Sequence, residues 1–294
     1  MRRRARFIYN PSSGKEEARR HLASILERLE EQGIETSCYA TRAGGGAADE
    51  AARVACEGYD LLLVAGGDGT LYDVVNGLAP QPFRPPLGIL PMGTSNDFAR
   101  AMGIPRDVNA ALQVVLRQKL KAVDIGKMNQ NYFIHIAGAG KITELTYEVP
   151  SSLKTRLGQM AYLVKGFEKL ANLRPVKLRL QIDDERIEEE VMFMLVANTG
   201  LVGQFAALVP QADPSDGYLD VMVVPKMGLP TLLYLATLAL RGEHVKDPHI
   251  RFYRAKRILL DAPGDVLINL DGELGGKAPA QIEILPMHLQ VFVP

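Results

Sequence analysis

Between residues 16 and 32 the apolar positions Leu22, Ile25, Leu26 and Leu29 fall three and four apart among charged neighbours. That spacing places them on one stripe of a helix, and Gly33 supplies its stop. Residues 6–9 and 34–41 on either side read as strands. Gly44-Gly45-Gly46 then breaks the chain, and residues 47–57 read as a second helix. The strand predicted over 60–65 carries the unbroken apolar run from Leu61 to Ala65, the mark of a strand covered on both faces. A helix over 71–78, a strand over 87–90 and a helix over 107–119 continue the alternation. Strands alternating with helices predict a parallel α/β sheet in residues 1–125.

After Val123 the pattern changes. A hairpin is predicted over 127–136, turning at Asn129-Gln130-Asn131. Strands are expected at 176–182 and 191–197, flanking the polar stretch 183–190, and again at 220–224, 251–261, 265–270 and 281–293. Only the segments 152–173 and 230–241 read as helices. The chain therefore divides into an α/β domain, 1–125, and a β-rich domain, 126–294, the latter an antiparallel sandwich or barrel. The length of 294 residues fits two domains.

Composition narrows the class. Apolar residues at 47% and charged residues at 23% describe a globular chain with ample core. Lysine plus arginine equals aspartate plus glutamate at 34 each, which argues against a globally basic nucleic-acid binder. Two cysteines, Cys38 and Cys56, make no disulfide framework and fit a reducing compartment. Met1-Arg2-Arg3-Arg4 is followed only by the short apolar Phe7-Ile8-Tyr9, too little for a signal peptide. The run 229–240 contains Pro230 and falls short of the ~18–20 residues of a membrane span. A cytoplasmic protein without a transmembrane anchor is expected.

The strongest chemical signal is Gly66-Gly67-Asp68-Gly69-Thr70, between the apolar strand and a helix. Glycines let the chain turn sharply and let a phosphate approach the amides, while the helix presents its positive end. Asp68 could orient Mg²⁺ or its waters, and Thr70 could offer a hydroxyl to a phosphate oxygen. A plain strand–helix turn is the alternative. Residues Asn10-Pro11-Ser12-Ser13-Gly14-Lys15 follow the first strand with the composition of an anion-holding loop, but they lack the P-loop spacing. Ligands of parallel sheets bind at such strand ends. A third loop, Pro91 to Arg100, carries Thr94, Asn96 and Asp97, with helix capping as its competing role. Asp124 adds a third acid at the domain junction, so a Mg²⁺-water network on Asp68, Asp97 and Asp124 is expected.

Asn269-Leu270-Asp271-Gly272-Glu273 ends an apolar strand. Asp-Gly favours a simple turn, while either carboxylate could serve as general base toward an alcohol. The acidic loop Asp213-Pro214-Ser215-Asp216-Gly217-Tyr218 could hold a structural cation. The five histidines show no metal spacing, and His244 and His249 are expected at a surface turn.

Together these segments resemble the soluble bacterial diacylglycerol kinases, within the superfamily of sphingosine and ceramide kinases. The resemblance spans nearly the whole chain, including 143–165 and Arg241-Gly242-Glu243-His244. It implies an NAD-kinase-like α/β domain and a β-sandwich domain with the nucleotide in the cleft, and leaves room for the last strand to return to the first domain. It implies that ATP is bound by Asn10, Pro11, Ser12, Ser13, Gly14, Thr41, Gly67, Asp68, Gly69, Thr70, Leu71, Tyr72, Asp73 and Thr94. Asp68, Asp97 and Asp124 would order Mg²⁺ and its waters. Glu273 occupies the family's proton-acceptor position, with Asp271 a competing candidate. Asp213, Asp216 and the Tyr218 carbonyl would hold a structural Mg²⁺. The acceptor would be diacylglycerol at an anionic membrane surface, reached through basic residues such as Lys15, Arg19, Arg20, Lys154, Arg156 and Lys165, with Lys15 and Lys165 on one docking face. A homodimer is implied only by the resemblance. An NAD kinase, a kinase of another lipid alcohol and a non-catalytic lipid- or nucleotide-binding regulator are the alternatives.

Overall fold

The computed structural model describes residues 2–14, 16–42, 45–140, 174–202 and 208–294. The helix expected over 152–173, the stretch 143–165 and the basic positions Lys15, Lys154, Arg156 and Lys165 lie outside them.

The chain opens with β1 (Arg3–Tyr9), α1 (Glu17–Glu31), β2 (Ile34–Ala40), α2 (Ala47–Cys56), β3 (Leu61–Gly66), α3 (Asp68–Leu78), β4 (Leu87–Pro91), a short α4 (Asp97–Ala101) and α5 (Val108–Leu116). The strands lie parallel in the order β4-β3-β1-β2. Every residue of β3 is buried, as its apolar run requires. The helical stripe of α1 buries Ile25 and Leu29, while the polar residues on its other side face water. Helices α2 and α3 meet backbone to backbone: a Cβ on Gly77 would stand 2.0 Å from the Ala48 carbonyl oxygen.

Thirteen-residue β15 (Ala280–Phe292) closes the molecule. It follows β5 (Leu120–Met128), β6 (Asn131–Phe133), β7 (Ile136–Ala139), β8 (Val176–Ile182), β9 (Glu185–Ala197), β10 (Leu219–Pro225), α6 (Leu229–Arg241), β11 (Arg251–Ala255), β12 (Arg257–Asp261), β13 (Leu267–Leu270) and β14 (Glu273–Lys277). These strands pair antiparallel and make the β-sandwich region. The first half of β15 pairs with β12, β5 runs beside β15 from Ile282 to Phe292, and the last residues of β15 meet β4 in parallel at Val291 and Leu87. Leu289, Val291 and Phe292 accordingly belong to the same buried cluster as Phe7, Leu63 and Val115. A second cluster, with Phe133, Val196, Val221 and Ile258, fills the sandwich.

The structure departs from sequence expectation at several places. The polar stretch 183–190 is mostly strand: β9 begins at Glu185 and pairs with β8 while alternating exposed and half-buried residues. Its charges obscured the period. The segment 251–261 is two strands, because Lys256 separates a partner of β10 from a partner of β8 and β15. His244 is fully buried, with Nε2 2.7 Å from the Leu208 carbonyl, whereas His249 is exposed. Among the described residues no helix is long and apolar enough to cross a membrane.

Candidate active site

Adjacent parallel strands end side by side, so the loops after β1, β3 and β4 meet. Each extends its ladder by one bond: Asn10 N–H donates to the Ala65 carbonyl and Met92 N–H to that of Gly66, both at 2.9 Å. Thr41 N–H does the same toward Tyr9 after β2. The loops then touch through backbone. A Cβ on Gly93 would lie 2.4 Å from the Gly67 Cα, and one on Gly14 would lie 2.6 Å from the Met92 carbonyl oxygen. Gly14 also has φ +58°, which suits glycine. This glycine-lined cradle opens at the N-terminus of α3, where the helix dipole favours an anion.

The individual positions differ in what they offer. Asn10 Oδ1 accepts from Ser12 N–H at 3.0 Å and from Ser12 Oγ at 2.8 Å, so Asn10 shapes its own loop. Thr94 is exposed at the rim. Asn96 Oδ1 accepts from Gly93 N–H at 2.9 Å and its Nδ2 donates to the Gly93 carbonyl at 2.8 Å, which staples the third loop and occupies that side chain. Thr70 is buried, and a Cβ on Gly66 would lie 2.5 Å from its hydroxyl, so that hydroxyl faces back under the strand. Leu71 is buried, while Tyr72 packs against the sandwich core.

Asp68 is the first residue of α3, which starts three residues earlier than the apolar pattern suggested. Its carboxylate caps α4 across the cradle, accepting from Asn96 N–H and Asp97 N–H at 2.8 Å each. Burial and the neighbouring Asp97 raise its pKa, against the pull of those amides. Asp97 is turned toward two cationic or donor groups. Arg100 sits 3.2 Å from Oδ1, and the His135 Nε2 sits 3.9 Å from Oδ2. Asp68 and Asp97 thus form one acidic pair. Carboxylate oxygens beside an anion cradle could order a hard divalent cation or its waters.

His135 was not among the sequence-derived candidates. It is buried, its Nδ1 is hydrogen-bonded with the Thr199 hydroxyl, and its Nε2 has no hydrogen-bond partner. Burial, against the Asp97 charge, lowers its pKa to about 4, so the ring is neutral at neutral pH. A lone histidine within Phe133-Ile134-His135-Ile136 is the only signal the sequence carried.

The two carboxylates of the fourth motif part company. Asp271 (φ +52°) and Gly272 (φ +99°) form the tight turn between β13 and β14. Asp271 accepts three backbone N–H groups: Ile134 at 2.8 Å, His135 at 3.0 Å and Ile136 at 2.8 Å. Burial, with the charge of Asp68, pushes this carboxyl up to about 7 against those donors; the residue keeps some solvent contact. Glu273 instead is exposed, and its Oε1 would lie 2.8 Å from a Cβ on Gly69 in the first turn of α3. Half-buried Asp73, one turn on, has its pKa raised by burial and by Glu273.

Asp124 is buried at the junction. Its carboxylate accepts from Gly217 N–H at 2.7 Å and Met287 N–H at 2.6 Å, and its carbonyl from Asn198 Nδ2 at 2.8 Å. Both its oxygens thereby accept a backbone N–H, one from the acidic loop and one from the closing strand, as both Asp68 oxygens do from α4. In the acidic loop, Asp213 Oδ1 accepts from Ser215 and lies 3.6 Å from the Lys121 ammonium. Asp216 pairs with Arg254, whose guanidinium stacks 4.2 Å over the Tyr218 ring. Among the described residues no three His, Cys, Asp or Glu side chains converge as a metal cluster.

Comparison with known proteins bears on this arrangement. Residues 4–128 match the family described as the diacylglycerol kinase catalytic domain, and residues 143–293 match the YegS C-terminal NAD kinase beta sandwich-like domain. Diacylglycerol kinase of Bacillus subtilis (strain 168) is 46% identical over 293 residues, 99% of this chain and 97% of that one. Diacylglycerol kinase of Staphylococcus saprophyticus is 47% identical over 294 residues, 100% of this chain and 96% of that one. The crystal structure of a diacylglycerol kinase from Bacillus anthracis str. Sterne overlays with a TM-score of 0.83 at 27% identity, covering 99% of this chain and 97% of that one. Identity near one half from end to end, on a fold that overlays end to end, means that the chain belongs to the diacylglycerol kinase family.

Proposed function

We propose that the chain transfers the γ-phosphoryl group of ATP to the hydroxyl of diacylglycerol, with Mg²⁺, to give phosphatidic acid. The observation that carries this reading is the placement of Glu273 over Gly69, a free carboxylate beside an anion cradle. In the reaction Glu273 takes the acceptor proton as the hydroxyl oxygen forms the new P–O bond, and the electron pair of the broken P–O bond leaves on ADP. Asp271, with its oxygens committed to three amides, holds the Ile134–Ile136 backbone in place.

The glycine contacts fit a polyphosphate. Backbone meets backbone at Gly67 and Gly93, and a side chain at either would intrude. Asn10 to Gly14, Thr41, Gly67 to Asp73 and Thr94 line the proposed nucleotide site. Asp68 and Asp97 would hold Mg²⁺ and its waters, which neutralise charge on the transferring group. Asp124 would join that water network while its carboxylate also ties the acidic loop to β15. That loop's oxygens suit a hard cation through Asp213, Asp216 and the Tyr218 carbonyl, in competition with Lys121 and Arg254. On this reading residues 1–125 bind ATP and residues 126–294 receive the lipid, with β15 joining the two.

The acceptor lies in a bilayer, so a cytoplasmic enzyme would visit the anionic inner membrane face. Basic residues there contribute ~1 kcal/mol each. Of the described docking candidates, Arg19 is 3.4 Å from Glu16 on the exposed side of α1. Net charge of zero speaks against nucleic acid as a partner.

The test is transfer of label from γ-labelled ATP to diacylglycerol in anionic mixed micelles with Mg²⁺, beside Asp68→Ala and Glu273→Ala. Labelled phosphatidic acid from the unaltered chain, lost in both variants, is expected. Product from a sphingoid base or NAD alone would overturn the acceptor, and no product from any acceptor would favour a regulator.

A further inference from the structure

We propose that His135 is the positioning residue of Asp97: with the Thr199 hydroxyl donating to its Nδ1, its Nε2–H faces Oδ2 of Asp97 and keeps that carboxylate turned beside Asp68. The inference rests on the reading of Asp97 as a metal-ordering acid.

The geometry constrains the ring from every side. His135 N–H donates to Asp271 Oδ1 at 3.0 Å, and its carbonyl accepts from Asn198 N–H at 2.9 Å, so its backbone is pinned between β6 and β7. His135 is 5% exposed, so its ring does not reach water. A hydroxyl can donate or accept, but a carboxylate can only accept. Thr199 must therefore supply the proton between itself and Nδ1, because the other tautomer would set a nitrogen lone pair against the Asp97 carboxylate. Nε2–H is then a buried donor without a hydrogen bond, and the acceptor facing it is Asp97 Oδ2 at 3.9 Å. Arg100 approaches the other oxygen, so Asp97 is held between a cation and a neutral donor.

This division suits an acidic pair. Asp68 and Asp97 repel one another, and Arg100 draws on Oδ1 of Asp97. An N–H at Oδ2, on the side away from Arg100, opposes that pull. Buried donors of this kind act through geometry, as second partners of metal-ordering carboxylates do.

The test begins with the full chain, free of metal and nucleotide. Nitrogen-15 spectra of histidine-labelled protein, with His135 assigned from His135→Phe, should show the Nε2–H tautomer, and its resonance should move in Asp97→Asn. An Nδ1–H tautomer, or a resonance blind to Asp97→Asn, would overturn the proposal. Mn²⁺ binding, followed by electron paramagnetic resonance with an ATP analogue whose γ-phosphoryl cannot transfer, should weaken roughly tenfold in His135→Phe. His135→Gln, which restores an N–H at the reach of Nε2, should recover part of the loss, and in an Asp97→Asn background His135→Phe should add nothing. Equal Mn²⁺ affinity in His135→Phe, or an undiminished effect without Asp97, would overturn it. Should His135→Phe not fold, Thr199→Val removes the partner hydroxyl at constant shape, and a His135 resonance unmoved there would overturn the assignment of Thr199 as the donor to Nδ1. An unaltered chain that binds no Mn²⁺ with nucleotide would sink the metal reading of the site, while the tautomer measurement still decides what positions Asp97.

Discussion

The Glu273 carboxylate stands over Gly69: a side-chain carbon on Gly69 would come within 2.8 Å of Glu273 Oε1. Gly69 is helical and has no positive φ, so alanine there suits the backbone and gains ~1 kcal/mol of helix propensity. The methyl can be accommodated only by moving the flexible end of Glu273. Gly69→Ala should therefore leave the melting temperature unchanged or higher while lowering turnover at least ~10-fold, and Glu273→Gln should lower it ~10²- to 10⁴-fold. Parallel melting and rate measurements check this. A fully active Gly69→Ala would mean that Glu273 acts from another position, or does not act.

Asp271 calls for the opposite signature. Its two oxygens accept three backbone N–H groups from residues more than 130 positions earlier. Asparagine at this site would set an amide donor against at least one of them, and a buried unpaired donor costs ~1–3 kcal/mol. Asp271→Asn should lower the melting temperature by several degrees, since each kcal/mol is worth ~2–4 °C in a chain of this size. Its activity loss should track that unfolding. A stable Asp271→Asn with no turnover would return the general-base role to Asp271.

The contrast between these two acids shows what the sequence could and could not reveal. Gly66 to Thr70 was legible because strand, glycines, carboxylate and helix are contiguous, and chain direction alone places them at a strand end. The apolar run in β3 and the stripe of α1 were legible for the same local reason. Asp271 and Glu273 are two residues apart, yet the turn at Asp271-Gly272 sends one carboxylate into the backbone of residues 134–136 and the other toward α3. Nothing local distinguishes them. His135, Thr199 and Asp97 meet only through tertiary pairing, and so do Asp124 and Met287 of the closing strand. Strand β9 was hidden for a different reason: the charged half of a half-exposed strand reads as loop.

Asp124 offers a direct test of that distinction. Its oxygens join Gly217 in the acidic loop to Met287 in β15. Asp124→Ala should cost ~1–3 kcal/mol in stability by orphaning both N–H groups. It should also speed proteolysis near Ser215, with Mn²⁺ affinity at the nucleotide site changed less than in Asp97→Asn. Limited proteolysis and urea denaturation check the first two effects. A large loss of metal affinity at unchanged stability would mean that Asp124 acts with Asp68 and Asp97 on the metal rather than on the fold.

The last prediction concerns pH and joins two neighbours. His135 has a folded pKa of about 4 against an ordinary 6.5, so it contributes stability above pH 6.5 that is lost as pH falls toward 4. Asp271 has a folded pKa of about 7 against an ordinary 3.8, so its contribution is full below pH 3.8 and is lost as pH rises toward 7. Between pH 4 and 6.5 unfolding takes up one proton at His135 and releases one at Asp271, and the two slopes oppose each other at ~1.4 kcal/mol per pH unit each. The partial exposure of Asp271 makes its slope the shallower. From these two groups the unaltered chain should show little pH dependence of stability in that window. Removing one member exposes the other: His135→Phe should lose stability as pH rises from 4.5 to 6.5, and Asp271→Asn should lose it as pH falls over the same range. Urea denaturation of the three chains at four or five pH values checks the signs directly. A flat Asp271→Asn would mean that His135 keeps its ordinary pKa in the folded protein, a flat His135→Phe would mean the same of Asp271, and two variants sloping in the same direction would mean that one of the two shifts has the opposite sign.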